Sequence, residues 1–254
     1  MLATTALHAT EIVAHRGASG TAPENTVAAF KLAWEQGADA CELDLYLTAD
    51  GQIAVLHDKD TKRTTGVPML VAEAKLAALR ELDAGTWKDA KYAGEKIPTL
   101  AEALATLPVG KQRFFLEIKC GPEVVPVLAK ELEAWKPRAA QLCIIAFNEA
   151  VAVESKKAMS WMKVYRLSSE QTKDKKPVDL DALIEKTKSQ KLDGLDLGSK
   201  WVWDESLVKK VRAAGLELYV WTINDPVMAK RLATLGVDGI TTDEPGLIQA
   251  ALGQ

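Results

Sequence analysis

Cys41-Glu42-Leu43-Asp44-Leu45-Tyr46-Leu47 sets leucines at alternate positions and two carboxylates between them. Residues two apart in a β-strand share a face, so Glu42 and Asp44 point one way while Leu43, Leu45 and Leu47 point the other. Two acids on one face repel unless they are solvated or share a cation. A solvated edge strand is the plainer reading, but three leucines on the opposite side argue against a free surface. Upstream, the spacing of Val27, Phe30 and Trp34 predicts a helix, and before it Ile12–His15 reads as another strand. The same alternation continues downstream through strands expected at Arg113–Lys119, Leu142–Phe147, Met162–Leu167, Gly194–Leu197, Glu217–Thr222 and Gly239–Thr242. Eight such units in 254 residues predict an α/β fold, a (β/α)8 TIM barrel within residues 11–254. A doubly wound open sheet is the alternative, weakened by the lack of a G-x-G-x-x-G turn after any strand. Asn148 and Asp225-Pro226 read as helix starts, Gly215 and Gly236 as helix stops. Between His57 and Ile97 the rhythm breaks; this stretch, with Leu76, Leu79 and Leu82 at helical spacing, reads as an insertion folded over the barrel mouth.

With 32 Lys and Arg against 35 Asp and Glu, the chain lacks the basic excess of a nucleic-acid binder, so no nucleic-acid partner is expected. Cys41, Cys120 and Cys143 are odd in number and have no C-x-x-C spacing, which excludes a disulfide framework and a thiolate zinc site. No apolar run is long enough to span a membrane, and residues 1–10 lack a basic leader segment. A soluble, cytoplasmic protein is expected, with a secreted or periplasmic one the alternative if Leu7-His8-Ala9 ends a removed signal. Nothing in the pattern specifies an oligomeric state.

In Leu116-Glu117-Ile118-Lys119 the same alternation puts Glu117 and Lys119 on one face at a strand's carboxyl end. The carboxyl ends of a parallel barrel converge on one mouth, so Glu117 joins Glu42 and Asp44 in an oxygen-only site suited to Mg²⁺ or Ca²⁺. A simple Glu117–Lys119 ion pair is the competing reading. His15 and His57 end two short apolar runs and are the candidate acid–base pair; His8, outside the folded pattern, is expected to be inert. Arg16 and Lys119 offer positive charge for a phosphate. Together these groups describe a phosphoryl-transfer site.

The segments Ala14-His15-Arg16-Gly17, Pro23-Glu24-Asn25-Thr26, Glu42-Leu43-Asp44, Leu56-His57-Asp58, Leu116-Glu117-Ile118-Lys119, Trp221-Thr222-Ile223-Asn224 and Gly236-Val237-Asp238-Gly239-Ile240 make the chain resemble the glycerophosphodiester phosphodiesterases. That resemblance runs over almost the whole chain, with Ile223 and Asp243-Glu244-Pro245 as mild variations. It implies a small subdomain of about residues 59–97 inserted after the second strand. It also implies one divalent cation, Mg²⁺ or Ca²⁺, on Glu42, Asp44 and Glu117, and an acid–base pair of His15 and His57. Arg16 and Lys119 then bind phosphate, and Glu24 and Asn25 buttress the site. The implied substrate is a small glycerophosphodiester, cleaved to glycerol 3-phosphate and an alcohol. A barrel cleaving intact or lyso lipids and a noncatalytic binding barrel are the other function classes. Alternation places Trp221 on the face of Tyr219, where it lines the substrate pocket if that face is inward, and a choline ammonium is expected on Trp203 or Trp87.

Overall fold

In the computed structural model, which describes residues 10–253, the acidic stretch is strand β2 (Ala40–Leu47). The other strands are β1 (Glu11–Ala14), β3 (Ile53–Val55), β4 (Arg113–Ile118), β5 (Leu142–Ala146), β6 (Lys163–Ser168), β7 (Gly194–Gly198), β8 (Glu217–Trp221) and β9 (Gly239–Thr242). All but β3 pair in parallel, in the order β1-β2-β4-β5-β6-β7-β8-β9, and β9 closes onto β1. The expected (β/α)8 barrel is therefore present, each of its strands ending within one residue of the sequence reading. Helices α1 (Val27–Glu35), α2 (Lys62–Thr65), α3 (Leu76–Glu81), α4 (Leu100–Leu104), α5 (Val125–Glu131), α6 (Glu149–Ala158), α7 (Leu180–Ser189), α8 (Glu205–Ala213), α9 (Pro226–Leu235) and α10 (Pro245–Leu252) complete the chain.

Local chemistry fixes the helix ends. The Asn148 side chain accepts from the backbone N–H groups of Ala150 and Val151 at the start of α6, and Asp225 caps α9 ahead of Pro226. Gly236 closes α9 in the left-handed conformation, φ 87°. Leu43, Leu45, Phe114, Leu116 and Ile144 face outward into the layer beneath the helices. Val13, Phe115, Cys143, Tyr165 and Tyr219 face inward and fill the barrel centre, the rings of Phe115 and Tyr219 lying 5.1 Å apart. Below them Arg113 pairs with Glu11 and reaches the Tyr219 hydroxyl. These side chains plug the barrel interior, leaving its carboxyl-end mouth as the place where functional groups can gather.

Strand β3 lies outside the closed barrel as a hairpin partner of β2, with Leu45 opposite Val55. It brings the chain back to the mouth, where the Leu56 N–H bonds the Asp44 carbonyl at 3.1 Å. From there the chain passes through α2 and α3 around a small apolar cluster of Ala54, Leu56, Val71, Leu79 and Ile97, then re-enters the barrel pattern at α4. Cys41 and Cys143 are buried, and all three cysteines are free. His8 and the proposed leader remnant Leu7-His8-Ala9 lie outside the described residues. Among the described residues no helix is long and apolar enough to cross a membrane.

Candidate active site

A cavity of about 150 Å³ opens at the carboxyl end of the barrel, lined on one side by His15, Arg16, Glu42, His57, Glu117 and Lys119. Strand alternation alone sends Glu42, Asp44 and Glu117 inward, and β2 lies beside β4 with Asp44 opposite Glu117. Each of the three offers an oxygen within 4.8 Å of the others, and all three are buried. Glu42 Oε1 and Asp44 Oδ1 have no hydrogen-bond partner. Burial, with the neighbouring Asp44 and Glu117 charges, pushes the Glu42 carboxyl well above the usual range. Burial and Asp44 push Glu117 up to about 7. Burial acts on Asp44 the same way, but Arg16, Lys119, His57 and a hydrogen bond from Asn25 outweigh it and hold Asp44 low. A buried Glu42 oxygen left without a partner, within a crowded acid cluster, fits a hard divalent cation. The Glu117–Lys119 ion pair also exists, at 2.7 Å, with Lys119 3.5 Å from Asp44; it is part of the cluster rather than an alternative to it.

The histidines are each fixed from behind. His15 Nδ1 lies 2.7 Å from Asp243 Oδ1, and Asp243 is held in turn by Ser19 and Asn224. His57 Nδ1 lies 2.7 Å from Asp58 Oδ1, while Asp58 Oδ2 accepts from Arg63 at 2.7 Å. Arg63 and the adjoining His57 draw Asp58 down to about 2. Burial lowers His57, against the pull of Asp44. With Nδ1 tied to a carboxylate in both rings, Nε2 is the nitrogen left for a ligand.

The Arg16–Asn25 turn joins these groups. Arg16 N–H bonds Glu42 Oε2 at 2.9 Å, and its guanidinium reaches Glu24 at 2.9 Å and Asp44 at 3.3 Å. Glu24 also takes two hydrogen bonds from Arg63, at 2.7 and 2.8 Å, tying α2 to this turn. Asn25 clamps Asp44, donating to Oδ2 at 2.7 Å and accepting from its N–H at 3.2 Å. Arg16 and Asn25 hold left-handed φ values of 56° and 57°, a strain that such a bonded network can sustain. Gly17 makes the turn possible: it has φ 80°, and an added Cβ would lie 2.5 Å from the Ala29 carbonyl carbon. Gly17→Ala is therefore expected to cost about 2 to 3 kcal/mol in denaturant unfolding, and a loss below about 0.5 kcal/mol would contradict this account of the turn.

Trp221 faces inward as alternation predicts, its ring packed over Gly198 and 5.5 Å from Phe147. Trp203 does not reach the cavity. It is 3% exposed in the outer core with Leu207 and Val208, because the turn before α8 buries it under the helix layer. Trp87 hydrogen-bonds the Ala84 carbonyl and is not among the cavity's lining residues. Phe147, one residue past β5, is the aromatic residue that lines the cavity beside Trp221. Sequence reasoning also missed Asp243, treated as a mild variation, although Gly239, Thr241 and Asp243 alternate onto the inward face; and it missed Asp196, the central residue of Leu195-Asp196-Leu197.

Residues 15–247 match the model of the glycerophosphoryl diester phosphodiesterase family. A glycerophosphodiester phosphodiesterase of Caldanaerobacter subterraneus is 34% identical, over 93% of this chain and 95% of its own. One from Bacillus subtilis is also 34% identical, over 92% of this chain and 84% of its own. Among solved structures, an Oleispira antarctica phosphodiesterase in complex with the product sn-glycerol-3-phosphate superposes with a TM-score of 0.88 at 31% identity, covering 97% of this chain and 98% of that one. Fold, acid cluster and sequence kinship thus agree, and the chain belongs to the glycerophosphoryl diester phosphodiesterase family of enzymes.

Proposed function

We propose that the chain hydrolyses glycerophosphodiesters to glycerol 3-phosphate and an alcohol, using His15 and His57 as its acid–base pair. The observation that carries this reading is the cluster of Glu42, Asp44 and Glu117, with a buried Glu42 oxygen left unpaired, beside a cavity that both histidines, Arg16 and Lys119 line. Glu42, Asp44 and Glu117 would hold Mg²⁺ or Ca²⁺, which supplies charge neutralisation to a phosphate oxygen when bound. Arg16 and Lys119 add fixed positive charge beside the same oxygen. His15 Nε2 takes the proton of the attacking oxygen as its bond to phosphorus forms. His57 Nε2 gives its proton to the alcohol oxygen as that bond breaks. Phosphate charge arriving beside His57 opposes the effect of burial and favours the imidazolium this role needs. Glu24 and Asn25 hold Arg16 and Asp44 in place. Trp221 offers an apolar wall to the glycerol carbons, so Trp221→Ala is expected to raise KM severalfold for every glycerophosphodiester; an unchanged KM contradicts that placement.

Cation binding should depend on pH in a definite direction. In the folded, cation-free protein Glu42 and Glu117 hold their protons more tightly than in the unfolded chain, which releases them near pH 4. That stability is present below about pH 4 and is lost as pH rises through about 7. A cation replaces those protons, so the gain in Tm from added Mg²⁺ or Ca²⁺ should be larger at about pH 8 than at about pH 5. An equal or larger gain at the lower pH contradicts the assignment. For the function itself, the test is release of glycerol 3-phosphate and free alcohol from a panel of glycerophosphodiesters with cation or chelator present.

A further inference from the structure

Opposite the carboxylates the cavity wall is largely apolar, with Thr222, Thr241 and a single carboxyl as its polar groups. Ile145 of β5, Leu167 of β6 and Trp221 of β8 line it, and Asp196 of β7 is set among them. Leu195 and Leu197 turn outward into the core under the helices, so alternation turns Asp196 inward, in register with Leu167 and Tyr219. Asp196 is 1% exposed and its Oδ1 is buried without a hydrogen-bond partner. The bond from Trp221 Nε1 goes to its backbone carbonyl, at 3.1 Å, not to its carboxyl. Among the described residues no cation pairs with it, and the charge that bears on it is Glu117, of the same sign. A buried carboxyl without a partner weakens the fold, and such groups are retained where they serve a ligand.

We propose that Asp196 binds the terminal hydroxyl of the substrate's glycerol, the hydroxyl farthest from phosphorus, and thereby selects a free glycerol headgroup. This rests on the glycerophosphodiester reading of the same site. With phosphate beside Arg16 and Lys119, the three-carbon stem extends away from the charged wall, over Ile145, Leu167 and Trp221. Asp196 is the carboxyl on that side of the cavity. Burial, with Glu117 adding to it, pushes the Asp196 carboxyl well above the usual range, and its oxygens can accept from a hydroxyl in either protonation state. An acyl chain on that hydroxyl removes the donor and brings bulk against Asp196, so the same contact disfavours lysolipids.

The test compares kcat/KM for glycerophosphocholine with that for its analogue lacking the terminal hydroxyl, in the wild type, Asp196→Asn and Asp196→Leu, each with its Tm. The wild type is expected to prefer the full substrate by at least about tenfold, since a site built around a hydroxyl rejects the analogue without it. Asp196→Leu should bring the ratio near unity through loss on the full substrate, and Asp196→Asn should keep most of it because an amide oxygen also accepts. Neither variant should lower Tm, because each removes a buried unpaired carboxyl; Asp196→Ala replaces the Leu variant if its bulk disturbs packing. A preference that survives in the apolar variants, equal losses on both substrates, or a fall of Tm in Asp196→Asn overturns the assignment. A folded wild type that hydrolyses both substrates equally overturns Asp196 alone, whereas one that hydrolyses neither overturns the reading it rests on.

Discussion

His15→Ala and His57→Ala are each expected to lower kcat for glycerophosphocholine by more than about a hundredfold while Tm changes little. Both rings stand at the open mouth, with side chains 19% and 31% exposed, so truncation opens no cavity in the packed interior. Each has Nδ1 fixed by a carboxylate, Asp243 or Asp58, which leaves Nε2 as the proton-carrying atom toward the cavity. Asp243→Asn should produce a smaller loss of kcat than His15→Ala, because it disturbs the ring's tautomer and orientation without removing the ring. Activity near wild type in either Ala variant contradicts the assignment. A collapse of Tm large enough to account for the loss does so as well.

Glu117→Gln and Asp44→Asn should each reduce activity by at least about a hundredfold and abolish most of the Tm gain from added Mg²⁺ or Ca²⁺. Without cation, Glu117→Gln is expected to melt no lower than the wild type. Burial and the Asp44 charge already oppose ionisation of Glu117, and the amide relieves that repulsion. Asp44→Asn should instead melt lower, since Asp44 is the carboxylate that Arg16, Lys119 and Asn25 hold ionised. Opposite signs at two ligands of one ion distinguish this account from a purely structural acid cluster. A full cation-induced Tm gain in both variants contradicts it.

The barrel was legible because period-two alternation and helical spacing are properties of short segments. Cys41–Leu47 and Leu116–Lys119 showed which residues share a face, and parallel topology then brought those faces to one mouth. The roles of Asp243 and Asp196 were not legible. Asp243 acts on a residue more than two hundred positions away, across the β1–β9 closure. Asp196 looks like an ordinary polar residue until the cavity shows it without a partner. The position of Trp203 was not legible for a related reason: it lies close in sequence to a strand end, but the path of the chain into α8 decides which layer it enters. That β3 lies outside the barrel and returns His57 to Asp44 is likewise a matter of pairing between strands, which single-strand patterns do not carry.

Cation-dependent cleavage of a glycerophosphodiester on the alcohol side of phosphorus is visible in phosphorus NMR of glycerophosphocholine hydrolysis, run with Mg²⁺ or Ca²⁺ and then with excess chelator. Glycerol 3-phosphate and choline are expected as products with cation present, and no turnover in chelator. Release of phosphocholine and glycerol, or undiminished turnover in chelator, would contradict it.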